Sequence, residues 1–164
     1  MKAEYVDSRY IRGREFNGSQ KTIDLPFKRV SARAIIIRKK DGCILATLHR
    51  KAGKFALPGG ALEDGESTEQ AVRRELAEEN IKLIDAEWDP RVVVDYFEGY
   101  QELSVWHIAL VEQAEIRPSR ENVETRWLSQ DQDLWYPSMR EKILLALSQY
   151  TPDLCRATVE LQVQ

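Results

Sequence analysis

A mixed β-sheet held between helices is the architecture this sequence predicts, from three observations. Runs of branched apolar residues bounded by turn residues lie on both sides of a central acidic stretch and read as strands. The acidic stretch, from Ser67 to about Asn80, carries a helix-start signal and no proline. The patterned part of the chain then closes with MREKILLALSQY, Met139 to Tyr150, whose apolar residues at 139, 143, 144, 147 and 150 form a helical stripe that belongs against the sheet. At 164 residues the chain has room for a single domain, 1–164, with a proper core, and too little for two of ordinary size.

Taken in order, residues 1–29 form a polar N-terminal extension broken by Gly13 and Gly18 and closed by Pro26. Within it, Tyr5 to Ile11 and Lys21 to Leu25 partly alternate apolar residues, and are expected to cover an edge of the sheet; reaching a second subunit in a homodimer is their other use. Val30 to Arg38, VSARAIIIR, reads as a central strand. Lys40-Asp41-Gly42 is a hairpin turn signal, and Cys43 to His49 its partner strand. Arg50, Lys51 and Lys54 then crowd one loop, as phosphate-holding cations or as a plain solvated basic loop.

Beyond the acidic helix, Arg91 to Tyr96 and Glu102 to Val111 are two more strands, joined through Glu98-Gly99-Tyr100, with Val92, Val94, Val105 and Ile108 as core candidates. Tyr96, Phe97, Tyr100 and Trp106 are core or sheet-surface aromatics first and base-stacking groups second. His49 and His107 have no second histidine or cysteine at ligand spacing, so they read as packed or exposed side chains. Thr125 to Leu128 is a short strand after a loop with Glu121 and Glu124. Asp131 to Pro137 is a further loop, with Trp135 and Tyr136 over a pocket, and residues 151–164 read as a C-terminal tail.

The densest chemistry lies in LPGGALEDGESTEQAVRRELAEENIKL, Leu57 to Leu83. Pro58-Gly59-Gly60 is expected to break regular structure and form a tight loop with exposed carbonyls. Ser67, with Gln70 three residues on, is a capping-box pattern. At about 100° per residue, Glu75, Glu78 and Glu79 fall in roughly one quadrant of the helix. Like charges so placed repel one another, and a hard divalent cation such as Mg²⁺, which takes carboxylate, carbonyl and water oxygens, removes the conflict. Arg74, four residues before Glu78, is placed to pair with a glutamate and hold it.

These residues resemble the Nudix hydrolases, whose signature is G-x5-E-x7-R-E-U-x-E-E-x-G-U, with U a bulky apolar residue. Gly60, Glu66, Arg74-Glu75-Leu76 and Glu78-Glu79 match it in register. The late glycine is absent; with one residue deleted, Asn80 takes its place, and asparagine is the next-best residue for a left-handed helix cap. The resemblance implies an α/β/α sandwich with a mixed β-sheet. It also implies Mg²⁺ or Mn²⁺ held by the Gly59 carbonyl with Glu75, Glu78 and Glu79, Glu75 also serving as a possible base, and structural supporting roles for Glu66 and Arg74. The family often draws another glutamate from a later loop as base or ligand, for which Glu124 and Glu121 are the candidates here, plain loop charges being their other reading.

The implied activity is hydrolysis of a nucleoside diphosphate linked to another group, expected first as a nucleoside triphosphate pyrophosphatase. The alternatives are an ADP-sugar or ADP-ribose pyrophosphatase, or a non-catalytic nucleotide sensor; a sensor is expected to have lost acidic ligands that this chain keeps. A net charge of −3 argues against a nucleic-acid coat but not against a phosphate substrate, because a bound cation inverts the local sign. No apolar run reaches the roughly 18 residues of a membrane span, and MKAEYVDSRYIRGREF lacks a signal-peptide core, so a cytoplasmic protein without a membrane partner is expected. Cys43 and Cys155 match no metal spacing and read as reduced thiols.

Overall fold

The computed structural model of the chain describes residues 4–7, 28–50, 53–97, 101–120 and 122–150. Its middle strand is β2 (Arg29–Arg38), in which Ala32, Ala34 and Ile36 face one side of the sheet and Ile35 and Ile37 the other, all of them buried. A strand covered on both faces carries apolar residues without alternation, as AIII does here. It runs parallel to β8 (Glu102–Val111), which pairs antiparallel with β7 (Glu87–Phe97). The edge beyond β7 is covered by β1 (Glu4–Asp7), part of the segment expected to do so. On the other side stand β3 (Ile44–His49) and then β10 (Asn122–Leu128). One parallel pair among antiparallel ones makes the sheet mixed.

Helix α1 (Thr68–Glu78) lays Ala71, Val72 and Leu76 on the Ala32, Ala34 and Ile36 face. Helix α2 (Pro137–Tyr150) lays Met139, Ile143 and Leu147 on the Ile35 and Ile37 face. Helix, sheet and helix thus form three layers around two cores. A small two-stranded sheet, β6 (Ile81–Ile84) with β9 (Gln113–Ile116), flanks the α1 side.

The hairpin of β2 and β3 has a consequence for the site. The two strands pair at one rung, Ile37 with Ile44, beyond a turn held by the Arg38 guanidinium on Asp41. They then part, and two short returning strands fill the gap: β4 (Phe55–Ala56) beside β3 and β5 (Gly59–Ala61) beside β2. Pro58-Gly59-Gly60 is therefore not an open loop, because Gly59 and Gly60 pair with Arg33 and Ala32 in the sheet, and Pro58 and Gly59 are buried.

Other local expectations are corrected by packing. Val93, not Val94, joins the α2-side core, while Val94 is half-buried. Leu144 sits off the buried line of α2 and is 36% exposed. Trp135 is a core side chain and not a pocket cover, and Trp106 is core, as first expected, their indole N–H groups donating to the Ser129 carbonyl and Ser104 Oγ. The last strand starts three residues early, which puts Glu124 in β10 and not in a loop. Lys21–Leu25, Glu98–Tyr100, Lys51, Glu121 and residues 151–164 lie outside the described residues.

Candidate active site

Helix α1 starts where the capping box places it. Ser67 Oγ accepts from the Gln70 backbone N–H at 3.1 Å, and Gln70 Oε1 accepts from the Ser67 N–H at 2.9 Å. It stops at Glu79, whose N–H still bonds to the Glu75 carbonyl, and Asn80 follows at φ 56°, the left-handed cap a glycine would otherwise supply. Asn80 also fixes the returning chain, through its carbonyl to the Arg117 N–H at 3.1 Å and its Nδ2 to the Pro118 carbonyl at 2.8 Å.

Arg74 organises the acidic face. Its Nε and Nη2 fork onto Glu66 at 2.7 and 3.1 Å, and Nη2 also donates to the Ala61 carbonyl at 3.0 Å. Nη1 reaches Glu75 Oε1 at 2.9 Å and Glu78 Oε2 at 3.2 Å. One guanidinium thus ties the loop, the strand β5 and the helix together. Glu66 is held below the usual carboxylate range chiefly by the Arg74 hydrogen bonds, and the same bonds raise Arg74 above the usual guanidinium value. Glu66 also accepts from the Glu63 N–H at 2.9 Å, closing the turn before the helix.

The two glycines meet different neighbours. A Cβ at Gly59, whose φ is 139°, would lie 2.2 Å from the Ala32 carbonyl oxygen and 2.7 Å from Arg33 Cα. A Cβ at Gly60 would lie 2.3 Å from Glu75 Oε1, so the missing side chain is the space the Glu75 carboxylate occupies. Hydrogen bonds from the Ala34 N–H to the Pro58 carbonyl and from the Leu62 N–H to the Val30 carbonyl make Gly59 and Arg33 a non-hydrogen-bonded pair of the ladder. The Gly59 carbonyl therefore points away from β2.

Glu75 is 8% exposed and Glu79 1% exposed, whereas the Glu78 side chain is 48% exposed. In donor type the set suits a hard divalent cation: carboxylate oxygens, an outward carbonyl and a cradle cut to a carboxylate by Gly60. Among the described residues, however, no three acidic, histidine or cysteine side chains converge as a preformed cage, because Glu75 and Glu78 turn onto Arg74.

The remaining sequence candidates stand elsewhere. Arg50 and Lys54 are exposed and donate to the Arg120 and Asp133 carbonyls, at 3.1 and 3.0 Å. Glu124 pairs with Arg126 at 2.7 Å on β10, beside a cavity of about 220 Å³ that Ser119, Asn122 and Thr125 also line. Asn122 is 6% exposed, and neither end of its amide has a hydrogen-bond partner among the described residues. His107 is buried with Nε2 2.9 Å from Thr68 Oγ1 and is pushed down to about 4 by burial, which makes it a packed neutral histidine. Sequence reasoning passed over Arg33, which β2 presents beside Gly59; an arginine inside an apolar strand pattern was the signal that pointed to it.

A family profile for the NUDIX domain matches residues 27–145. A MutT-like protein from Streptomyces ambofaciens is 32% identical over 119 residues, spanning 69% of this chain and 71% of that protein. Among solved structures, MutT NUDIX hydrolase from Burkholderia pseudomallei is similar at 30% identity and TM-score 0.54, covering 75% of this chain and 98% of that one. A bifunctional NMN adenylyltransferase/ADP ribose pyrophosphatase from Francisella tularensis, complexed with AMP and a Mn ion, gives a TM-score of 0.58 over 74% of this chain. This chain spans 41% of that protein's length, and at 23% identity the likeness is one of fold. With the profile covering strands β2 to β10, the acidic helix and most of α2, the chain belongs to the NUDIX domain family and is a phosphoanhydride hydrolase.

Proposed function

We propose that the protein is a Mg²⁺-dependent nucleoside triphosphate pyrophosphatase, with Mn²⁺ able to replace Mg²⁺. The observation that carries the reading is the pairing of three glutamates in one quadrant of α1 with a Gly59-Gly60 strand that turns a carbonyl outward and makes room for Glu75. Two proteins similar at 30% identity or above carry the name MutT, and the ADP-ribose pyrophosphatases, at 20–23%, share the fold. We carry the triphosphate reading first and keep the ADP-sugar one as its alternative.

In this reading Glu78, Glu79 and the Gly59 carbonyl would hold the cation, with Glu75 as further ligand or as base. Such an ion supplies charge neutralisation at the phosphates and a more acidic water. Arg74 keeps the helix and β5 in register and orients Glu75 and Glu78, which would face the cation. Glu75, seated against the Gly60 backbone, takes a proton from the water that attacks phosphorus as the bridging P–O bond breaks. Arg50 and Lys54 meet the outer phosphates from the loops. Glu124, already paired with Arg126, is the less favoured base.

Chromatographic product analysis after incubation with a panel of nucleoside triphosphates, nucleotide sugars, ADP-ribose and diadenosine polyphosphates, with and without Mg²⁺, tests the reading. The expected result is a nucleoside monophosphate and pyrophosphate from one triphosphate, lost on chelation. Cleavage of ADP-ribose alone would move the assignment to an ADP-sugar pyrophosphatase, and binding without cleavage to a sensor.

A further inference from the structure

Arg33 is an unusual residue for the middle of a buried strand. Its neighbours along β2, Ala32, Ala34, Ile35, Ile36 and Ile37, are all buried and apolar. Its stem packs on the Gly59 backbone, where an added Cβ would lie 3.0 Å from Arg33 Cγ, and its Nη1 donates to the Leu57 carbonyl at 3.1 Å. The next glycine, Gly60, touches the Glu75 carboxylate. Two successive glycines thus separate a fixed cation on one side from a carboxylate of the acidic face on the other. The Arg33 Nε lies buried with no hydrogen-bond partner among the described residues, so this guanidinium is not fully spent on local bonds.

Its electrical surroundings are equally one-sided. Burial lowers Arg33 from the usual guanidinium value, opposed by the negative charges of Glu102, Glu79 and Glu75 and reinforced by Arg29. Glu102 is itself held by the Ser31 hydroxyl and by Arg29 at 3.3 Å. A positive charge held behind metal-binding carboxylates acts in two opposite ways. It stabilises them while no cation is present, and it repels a cation that enters, most strongly where the surroundings exclude water.

We propose that Arg33 is a positioning residue that tunes cation affinity: it serves as a resident counter-charge of Glu79 and, beside Arg74, of Glu75, and keeps the site from binding a divalent ion tightly before substrate arrives. The proposal rests on the reading that these glutamates hold the ion. Substrate phosphate then completes the site by adding negative charge on the cation's open side, so metal and nucleotide bind cooperatively. A purely structural arginine would lower folding stability and metal binding together, whereas a tuning charge moves them in opposite directions.

Mn²⁺ titrations of the full chain without nucleotide, followed by the electron paramagnetic resonance signal of the free ion, are paired with thermal melting in EDTA. Arg33→Gln keeps a donor for the Leu57 carbonyl and removes the charge. It is expected to bind Mn²⁺ about three- to tenfold more tightly while melting at a lower temperature in EDTA. Arg33→Lys, which keeps the charge, stays near wild type in affinity. Glu102→Gln strips an opposing charge from Arg33 while leaving an acceptor for Ser31, and is expected to weaken Mn²⁺ binding by about two- to fivefold; it reads the same field from the other side even if Arg33→Gln does not fold. Unchanged or weaker affinity in folded Arg33→Gln, or unchanged or tighter affinity in Glu102→Gln, overturns the role of Arg33. Absence of Mn²⁺ binding at millimolar concentration in both wild type and folded Arg33→Gln overturns instead the carboxylate site beneath it.

Discussion

Arg73 and Arg74 are adjacent residues of one helix, and their surroundings have almost nothing in common. Arg73 stands on the outer face, paired with Glu69 at 2.9 Å, both side chains 58% exposed, and lying 5.7 Å from the Trp88 ring centre. Arg74 is four-fifths covered and bonds to Glu66, Glu75, Glu78 and the Ala61 carbonyl. About 100° of helical rotation separates the two. The same side chain is a weak surface partner on one face and the organiser of a site on the other, because only the second face meets a loop whose carboxylate and carbonyl oxygens need donors. Residue type therefore says little about importance here; the face says most of it.

The sharpest test of that division is Glu79→Gln, on the acidic face. An amide cannot replace a metal-binding carboxylate, so turnover at saturating Mg²⁺ should fall at least about a hundredfold while the circular dichroism spectrum is kept. Near-normal turnover would remove Glu79 from the site.

Gly60→Ala comes next. The added methyl meets the far end of the Glu75 side chain, not backbone, so the fold should persist while turnover falls roughly ten- to a hundredfold from a displaced carboxylate. Gly59→Ala makes the contrast, since its methyl meets the Ala32 carbonyl at 2.2 Å and is expected to cost melting temperature as well.

The buried side of α1 is probed by pH. The His107 imidazole resists protonation until about pH 4 when folded, and an unfolded histidine takes its proton near 6.5. Between those values the unfolded chain binds more protons, so stability should decline as pH falls from about 6.5 to 4, by at most about 3 kcal/mol, and this group contributes no further change below that. Urea unfolding at pH 7 and 5 should show the decline in wild type and a smaller one in His107→Gln.

Arg74→Met leaves Glu66 and Glu75 without their shared donor and should cost about 2 kcal/mol in urea unfolding, as a partly exposed network does. Arg73→Ala is the smallest effect, within about 0.5 kcal/mol. A loss at Arg73 as large as that at Arg74 would erase the comparison.

What could be read in advance divides along the same line. Ser67 and Gln70 named the helix start because a capping box is satisfied within four residues. Asn80 as a left-handed cap was legible for the same local reason. The strand β5 was not, because the ladder partner that makes Gly59-Gly60 a strand lies on β2, some 27 residues back, across the gap that β2 and β3 leave on parting. Nor was the burial of Trp135 against α2-side residues, which depends on how the loop before α2 returns to the sheet.

By itself the sequence determined the ends of α1, the shared quadrant of Glu75, Glu78 and Glu79, and the strands β2, β3, β7 and β8, since each follows from rotation or alternation along a few neighbouring residues. Only tertiary structure decided that Arg74 binds both Glu75 and Glu78, that Gly60 is shaped to a carboxylate, that Glu124 belongs to a strand and that Arg33 packs on the Gly59 backbone. These are contacts between segments brought together by sheet register and helix packing, and no local pattern records where a distant backbone will pass.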